Sequence, residues 1–327
     1  LLVNGILNDT IIHPEAEFSF EAHPDNTTVG HLEILYDLGF KRLSLGIQDF
    51  DPKVQFIINR HQSFEQVQVI TQQARRIGYT SVNYDLIYGL PLQTLQGLTQ
   101  TLKMVAELRP DRIAFYSYAH VPWLKPGQRR FTEQDLPDAA AKSLLYETGR
   151  YLLKNYGYME IGMDHFALPG DTLFHAERSG SLHRNFMGYT NHHTQLLVGL
   201  GVSSISDAGT AFSQNVKIAE DYLRLVDEGI LPVLKGHLLT GEDLIIRLHI
   251  LNIMCRGITT WDLAIETFLS TAIVRLQPLA ADGLIRLHSS GLEVTEPGKH
   301  FLRNICMALD DRLWKAQPKG QQFSMSL

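Results

Sequence analysis

Residues 81–91, Ser-Val-Asn-Tyr-Asp-Leu-Ile-Tyr-Gly-Leu-Pro, constrain the fold more than any other stretch. Val82, Tyr84, Leu86 and Tyr88 alternate along one face with the period of a β-strand. Gly89 and Pro91 stop it. Asn83 and Asp85 occupy the other face among apolar neighbours, where a polar side chain requires a partner. A carboxylate near the C-terminal end of a buried strand, ahead of a breaker and a helix, stands where α/β folds place ligand contacts.

The same rhythm runs through the first half. Phe18 and Phe20 alternate ahead of Glu21, and Leu43, Leu45 and Ile47 alternate ahead of Gln48. Amphipathic helices separate them, one carrying Val29, Leu32, Leu35 and Leu38, the next opened by a Ser63/Gln66 capping box. Another helix carries Leu95, Leu98, Leu102 and Val105, and Ile113–Tyr118 is a further strand. Strands alternating with helices predict a parallel sheet, open or barrel-shaped. Beyond a polar connection at 120–135, a long helix runs to about Asn155, Tyr158–Phe166 is expected as one strand, and 167–198 as irregular. From residue 236 the pattern changes to a helix over 240–256, a helical stretch over 261–282, a hairpin over 284–295 and a last helix over 298–309, a winged-helix-like order. The expected domains are therefore residues 1–235 and 236–327.

A chain of 327 residues, 44% hydrophobic, can bury one large core and a smaller one. A net charge of −6, and nine basic against nine acidic residues over 236–327, give no electrostatic footprint for nucleic acid. No apolar run has the length of a membrane span. Cys255 and Cys306 suggest a reducing compartment and buried thiols, and two cysteines form no metal or iron–sulfur cluster set.

Four polar residues fall at or just past strand ends: Glu21, Gln48, Arg60 and Asp85. A parallel sheet gathers such residues on one rim. The set suits a ligand with hydroxyls, an ammonium and a carboxylate, because arginine forks onto carboxylates and Asp or Glu accept from ribose hydroxyls. Ordinary strand-end residues bonded to loop backbone would look the same, and spacing leaves both readings open. Asp164-His165 ends an apolar strand, and His183, Arg184, Asn185, Tyr189, His192 and His193 follow. These could form a metal site, although no His-x-His or His-x-x-x-His pair is present, or an anion site at Arg184; composition favours a solvated loop. Gly199–Ser206 is small enough for close approach to a flat ligand, or simply a tight turn.

The motifs Glu17–Glu21, Gly46–Phe50, Asn83–Pro91, Gly162–Ala167, His183–Thr190, Gly201–Ser206 and Gln321–Ser324 come in an order that resembles the oxygen-independent coproporphyrinogen III oxidases (dehydrogenases), radical S-adenosylmethionine (SAM) enzymes of haem synthesis. The resemblance spans the chain. Related haem chaperones share Asp85–Pro91 but not the stretches around Asp164 and Arg184.

The resemblance implies a partial barrel of six βα units with a mostly helical C-terminal domain, a [4Fe–4S] cluster and two bound S-adenosylmethionine molecules. Glu21 and Ile205 match positions contacting the molecule on the cluster. Gln48, Arg60, Asp85 and Ala119 match positions contacting the second, with Tyr116 near the adenine. Arg184 matches a position holding a substrate propionate, and His165 is placed with it as a substrate contact. The implied reaction uses a 5′-deoxyadenosyl radical to take a β-hydrogen from a propionate. Loss of carbon dioxide and one electron leaves a vinyl group, and two rounds give protoporphyrinogen IX. A porphyrinogen substrate, an unidentified electron donor, no nucleic-acid or membrane partner, a monomeric state and a cytoplasmic location complete the expectation.

Two departures stand out. The Cys-x-x-x-Cys-x-x-Cys motif and the Gly-rich loop are absent, so the chain reads as an N-terminally truncated form, expected to ligate no cluster and to be inactive alone. Met187 stands where the family pattern has Gln; a thioether cannot replace the amide's hydrogen bonds. A haem-trafficking chaperone, a metal-dependent barrel hydrolase and a binding module without catalysis are the alternatives.

Overall fold

The computed structural model describes residues 2–316, which divide into two compact units after Phe174. The expected boundary at 235 lies inside the second unit. The Gln321–Ser324 stretch lies outside the described residues.

The first unit opens with a short helix, α1 (Leu2–Asn8), and is built on strands β1 (Phe18–Ala22), β2 (Phe40–Gln48), β3 (Ser81–Tyr88) and β4 (Arg112–Ser117), all mutually parallel. Helices α2 (Val29–Asp37), α3 (Pro52–Ile57), α4 (Phe64–Ile77), α5 (Leu95–Leu108) and α6 (Ala139–Asn155) fall between or after these strands. Alternation decides which side of the sheet they cover: Leu43, Leu45, Ile47, Val82, Tyr84, Leu86 and Phe115 are at most 2% exposed and form the core with Leu32, Val67, Leu98 and Leu102. Buried phenols there find partners, Tyr79 donating to the Leu32 carbonyl at 2.8 Å and Tyr158 to the Pro110 carbonyl at 2.7 Å. The Ser63/Gln66 box forms in both directions, at 2.7 and 3.2 Å.

The single strand expected over 158–166 is corrected. It is a hairpin of β5 (Met159–Ile161) and β6 (His165–Ala167), turned at Gly162, whose φ of +60° favours glycine. β6 adds antiparallel to β4, so the sheet order is β1-β2-β3-β4-β6-β5, with β1 at one edge. The polar connection at 120–135 contains two 3₁₀ turns.

The expected irregular stretch at 167–198 is also corrected: it holds α7 (Thr172–Ser179), which crosses into the second unit, and the hairpin β7 (His183–Asn185)/β8 (Gly188–Thr190). Next come β9 (Ile205–Asp207), β10 (Ala211–Asn215), α8 (Ala219–Asp227) and β11 (Val233–Leu238), in an antiparallel sheet ordered β11-β10-β9. Then α9 (Gly241–Arg256), β12 (Ile258–Thr260), α10 (Leu263–Phe268), α11 (Ser270–Ala281), β13 (Ile285–His288) and β14 (Gly291–Val294) form helices around a second small sheet, followed by α12 (Leu302–Leu309) and α13 (Asp311–Ala316). The winged-helix-like order expected from 236 onward is present, with β12 as an additional strand. No helix among the described residues is long and apolar enough to cross a membrane.

Candidate functional site

The face of the first sheet turned away from its helices carries polar side chains in rows. Register aligns Glu21, Ser44, Asn83 and Arg112 across β1–β4, and Gly46, Asp85, Ala114 and His165 in the row nearer the C-terminal ends of β2–β4. Tyr116 follows along β4, its ring edge-on to His165 at 5.9 Å.

The end of β2 is irregular. Pairing jumps from Gly46↔Asp85 to Gln48↔Leu86, which leaves Ile47 as a bulge, and Gln48 has φ +67°. The freed carbonyls need donors. Arg60 Nη1 donates to Gly46 O and Gln62 Nε2 to Ile47 O, each at 2.6 Å. A Cβ at Gly46 would meet Gln48 Nε2 at 3.1 Å and Arg60 Nη2 at 3.3 Å, so a side chain there would push on both, and glycine leaves them room over the strand. Gln48 Oε1 is buried without a hydrogen bond among the described residues.

Asp85 sits beside this cradle. Ser44 Oγ donates to its Oδ2 at 3.1 Å and Asn83 Nδ2 to its Oδ1 at 2.9 Å. Burial pushes its carboxyl above the usual range; those two bonds pull it back, the nearby Glu21 charge pushes it up and His165 opposes. Burial lowers the Arg60 pKa while Asp25 and Asp85 raise it, and the group stays a cation. Asp164 Oδ1 lies 2.6 Å from His165 Nδ1 and orients that ring.

Of the expected site residues, Gln48, Arg60 and Asp85 converge, with Glu21 one row away at the edge strand, exposed, and Tyr116 and His165 further along the same face. Ala119 lies in the loop after β4, where its carbonyl accepts from Gln128 Nε2 at 3.0 Å. In the second unit, Ile205 opens β9, and Arg184 on β7 holds its guanidinium 4.5 Å over the Tyr189 ring. Arg184 also lines a cavity of about 370 Å³ floored by Phe212, Ile250 and Met254. Met187 is 78% exposed in the β7–β8 turn. His183 and His193 rings lie 4.4 Å apart, and burial, then His193, lowers the His183 pKa.

Sequence reasoning missed Ser44 and His23. Ser44 is on the alternation opposite Leu43 and Leu45, a signal that was available; His23, close enough to feel the Arg60 charge, follows β1 at the same rim. Burial pushes the Cys255 thiol up to about 11 and the Cys306 thiol up to about 12, so both are neutral. Among the described residues, no group of three or more His, Cys, Asp or Glu could hold a metal ion.

A sequence model of the radical SAM superfamily matches residues 4–105. The chain is 42% identical to the oxygen-independent coproporphyrinogen III oxidase of Escherichia coli (strain K12), over 95% of this chain and 69% of that protein. It is 39% identical to the Thermostichus vulcanus protein of the same name, over 96% and 98%. The solved structure of the Escherichia coli coproporphyrinogen III oxidase, described as a radical SAM enzyme, superposes with a TM-score of 0.91 at 40% identity, covering 95% of this chain and 74% of that one.

Proposed function

Because the chain belongs to the oxygen-independent coproporphyrinogen III oxidases of the radical SAM superfamily, we propose that its sheet rim is an adenosyl-binding site serving the oxidative decarboxylation of coproporphyrinogen III propionates in haem synthesis. The observation that carries this reading is the convergence of Gln48, Arg60 and Asp85 over Gly46. Arg60, its Nη1 tied to a backbone carbonyl, turns its remaining donors to a ligand carboxylate. Asp85 accepts from ribose hydroxyls, Gln48 offers its unpaired Oε1 to a donor, and the Tyr116 ring and Ala119 border the base.

The unsatisfied Gln48 amide and the Gly46 cradle fit S-adenosylmethionine, which when bound supplies the hydrogen-abstracting chemistry. The residues present do not fit the [4Fe–4S] cluster: the only cysteines, Cys255 and Cys306, are 51 residues apart and protonated.

The finer assignments rest on the resemblance. Glu21 and Ile205 are each proposed to contact the S-adenosylmethionine of the cluster, and Gln48, Arg60, Asp85, Tyr116 and Ala119 a second molecule. Arg184 and His165 are proposed substrate contacts, Arg184 for a propionate. A cytoplasmic location and a partial radical SAM barrel over residues 1–235 belong to the same proposal. The chaperone and hydrolase alternatives are not favoured.

Calorimetric titration of the chain with S-adenosylmethionine tests the rim. Binding is expected, weakened about tenfold or more by Arg60→Ala, which removes a charge-assisted bond. Equal affinity for the chain and the variant would defeat the assignment.

A further inference from the structure

Both oxygens of Asp85 are held from the neighbouring strand and from its own. Ser44 Oγ on β2 donates to Oδ2, and Asn83 Nδ2, two residues back on β3, donates to Oδ1 and also to Ser44 Oγ at 2.9 Å. The three side chains form a closed triangle. It has a cost: Asn83 Oδ1 is buried without a hydrogen bond among the described residues, because the amide is turned to aim its NH₂ at Asp85 and Ser44. A side chain serving packing alone would gain by being apolar here, whereas this one spends an acceptor to fix a carboxylate.

We propose that Ser44 and Asn83 are positioning residues of the rim site, which orient Asp85 and keep it ionised so that its remaining lone pairs face the ligand. The inference rests on the adenosyl reading of the rim. The charged and titratable groups facing Asp85 are Glu21 on β1, Arg60 on the segment after α3 and His165 on β6, and His23 after β1 faces Arg60. Arg60 does not titrate, whereas Asp25 also faces Arg60 and a histidine cation at the rim would favour ionised Asp85 yet repel a cationic ligand, so Asp85→Asn is the variant that assigns an acid limb to Asp85.

S-adenosylmethionine is the probe, because neither its carboxylate nor its ammonium titrates between about pH 5 and 7. Its affinity for the full chain is expected to fall as pH drops through the raised Asp85 pKa. Ser44→Ala and Asn83→Ala should each move that midpoint up by roughly one unit and weaken binding near the midpoint about tenfold. Ser44→Thr, which keeps the hydroxyl, should restore it, and Asp85→Asn should remove the acid limb.

A purely structural role would lower the melting temperature of the alanine variants and leave the midpoint where it was; that result overturns the inference while the adenosyl reading stands. So does an acid limb that Asp85→Asn leaves unchanged. Absence of binding to the unsubstituted chain overturns the adenosyl reading and this inference with it.

Discussion

The rim of the first unit and the cavity wall of the second use the same residue types in opposite ways. At the rim, Asp85 takes two neutral donors and no cation within ion-pair distance among the described residues, and Arg60 donates to one backbone carbonyl. In the cavity wall, charges close on one another. Arg247 forks onto Asp207 at 2.6 and 3.0 Å, while Arg312 grips Asp243 through Nε and Nη2, with His237 Nε2 3.2 Å from the same carboxylate. Burial alone would raise the Asp207 pKa, but the Arg247 fork and the Gly209 N–H outweigh it and hold the carboxyl below its usual range. The cavity wall closes its charges on one another, whereas the rim leaves Gln48 Oε1 without a hydrogen bond among the described residues.

The sharpest test lies one row below Asp85. Arg112 and Asp171 form a buried pair at 2.6 Å, with side chains 5% and 3% exposed, and Arg112 also donates to Thr172 Oγ1. Arg112→Met strands a buried carboxylate and should cost about 3–5 kcal/mol in urea unfolding. A loss below about 1 kcal/mol would mean that closed pairs on this face are not structural.

Asp49, fully buried, comes next. It ties the end of β2 to the start of α3, to α5 and to the loop before α5 by accepting from Asp51 N, Thr101 Oγ1 and Gln93 Nε2. Asp49→Asn would set an amide NH₂ against one of these donors, at about 1–3 kcal/mol, read from the same unfolding curves. Asp207→Asn in the cavity wall should cost about 1 kcal/mol or less, because the Arg247 side chain is 26% exposed. A larger loss would show that the cavity wall is a tighter clasp than its exposure implies.

Acid should separate the regions by sign, the rim responding first and the cavity wall only at lower pH. Burial raises the Asp49 and Asp85 pKa values, so their protonated forms favour folding; that contribution is complete below the unfolded pKa and is lost as pH rises through the folded one. Asp207 is depressed, so its contribution exists above the unfolded pKa and is lost as pH falls through the folded one. Melting followed as pH falls from neutrality through the raised Asp85 pKa should show Asp85→Asn flattening a stabilising trend. If that variant melts along the same pH curve as the unsubstituted chain, Asp85 is not the buried acid this account requires.

Local patterns were readable. The alternation of Val82, Tyr84, Leu86 and Tyr88, the Ser63/Gln66 box and the Thr240 start of α9 each involve residues within one turn or one strand, and each is present. The Gly162 turn was not read, because an isolated glycine in an apolar run leaves strand and hairpin equally open. Strands β9–β11 were not read: β9 and β10 pair across a short turn, but β10 and β11 pair across a segment that includes α8.

Which face of each strand is apolar, and which residues fall at strand ends, could be read along the chain, since side-chain alternation is a property of the backbone alone. The sequence also carried the family, through motifs whose order survives without coordinates. That Ser44, 41 residues from Asp85, holds its carboxylate, and that Arg247, 40 residues from Asp207, neutralises the latter, emerges from the packed fold. Those partnerships depend on strand register and on how helices close over sheets, and a one-residue slip in either would dissolve them.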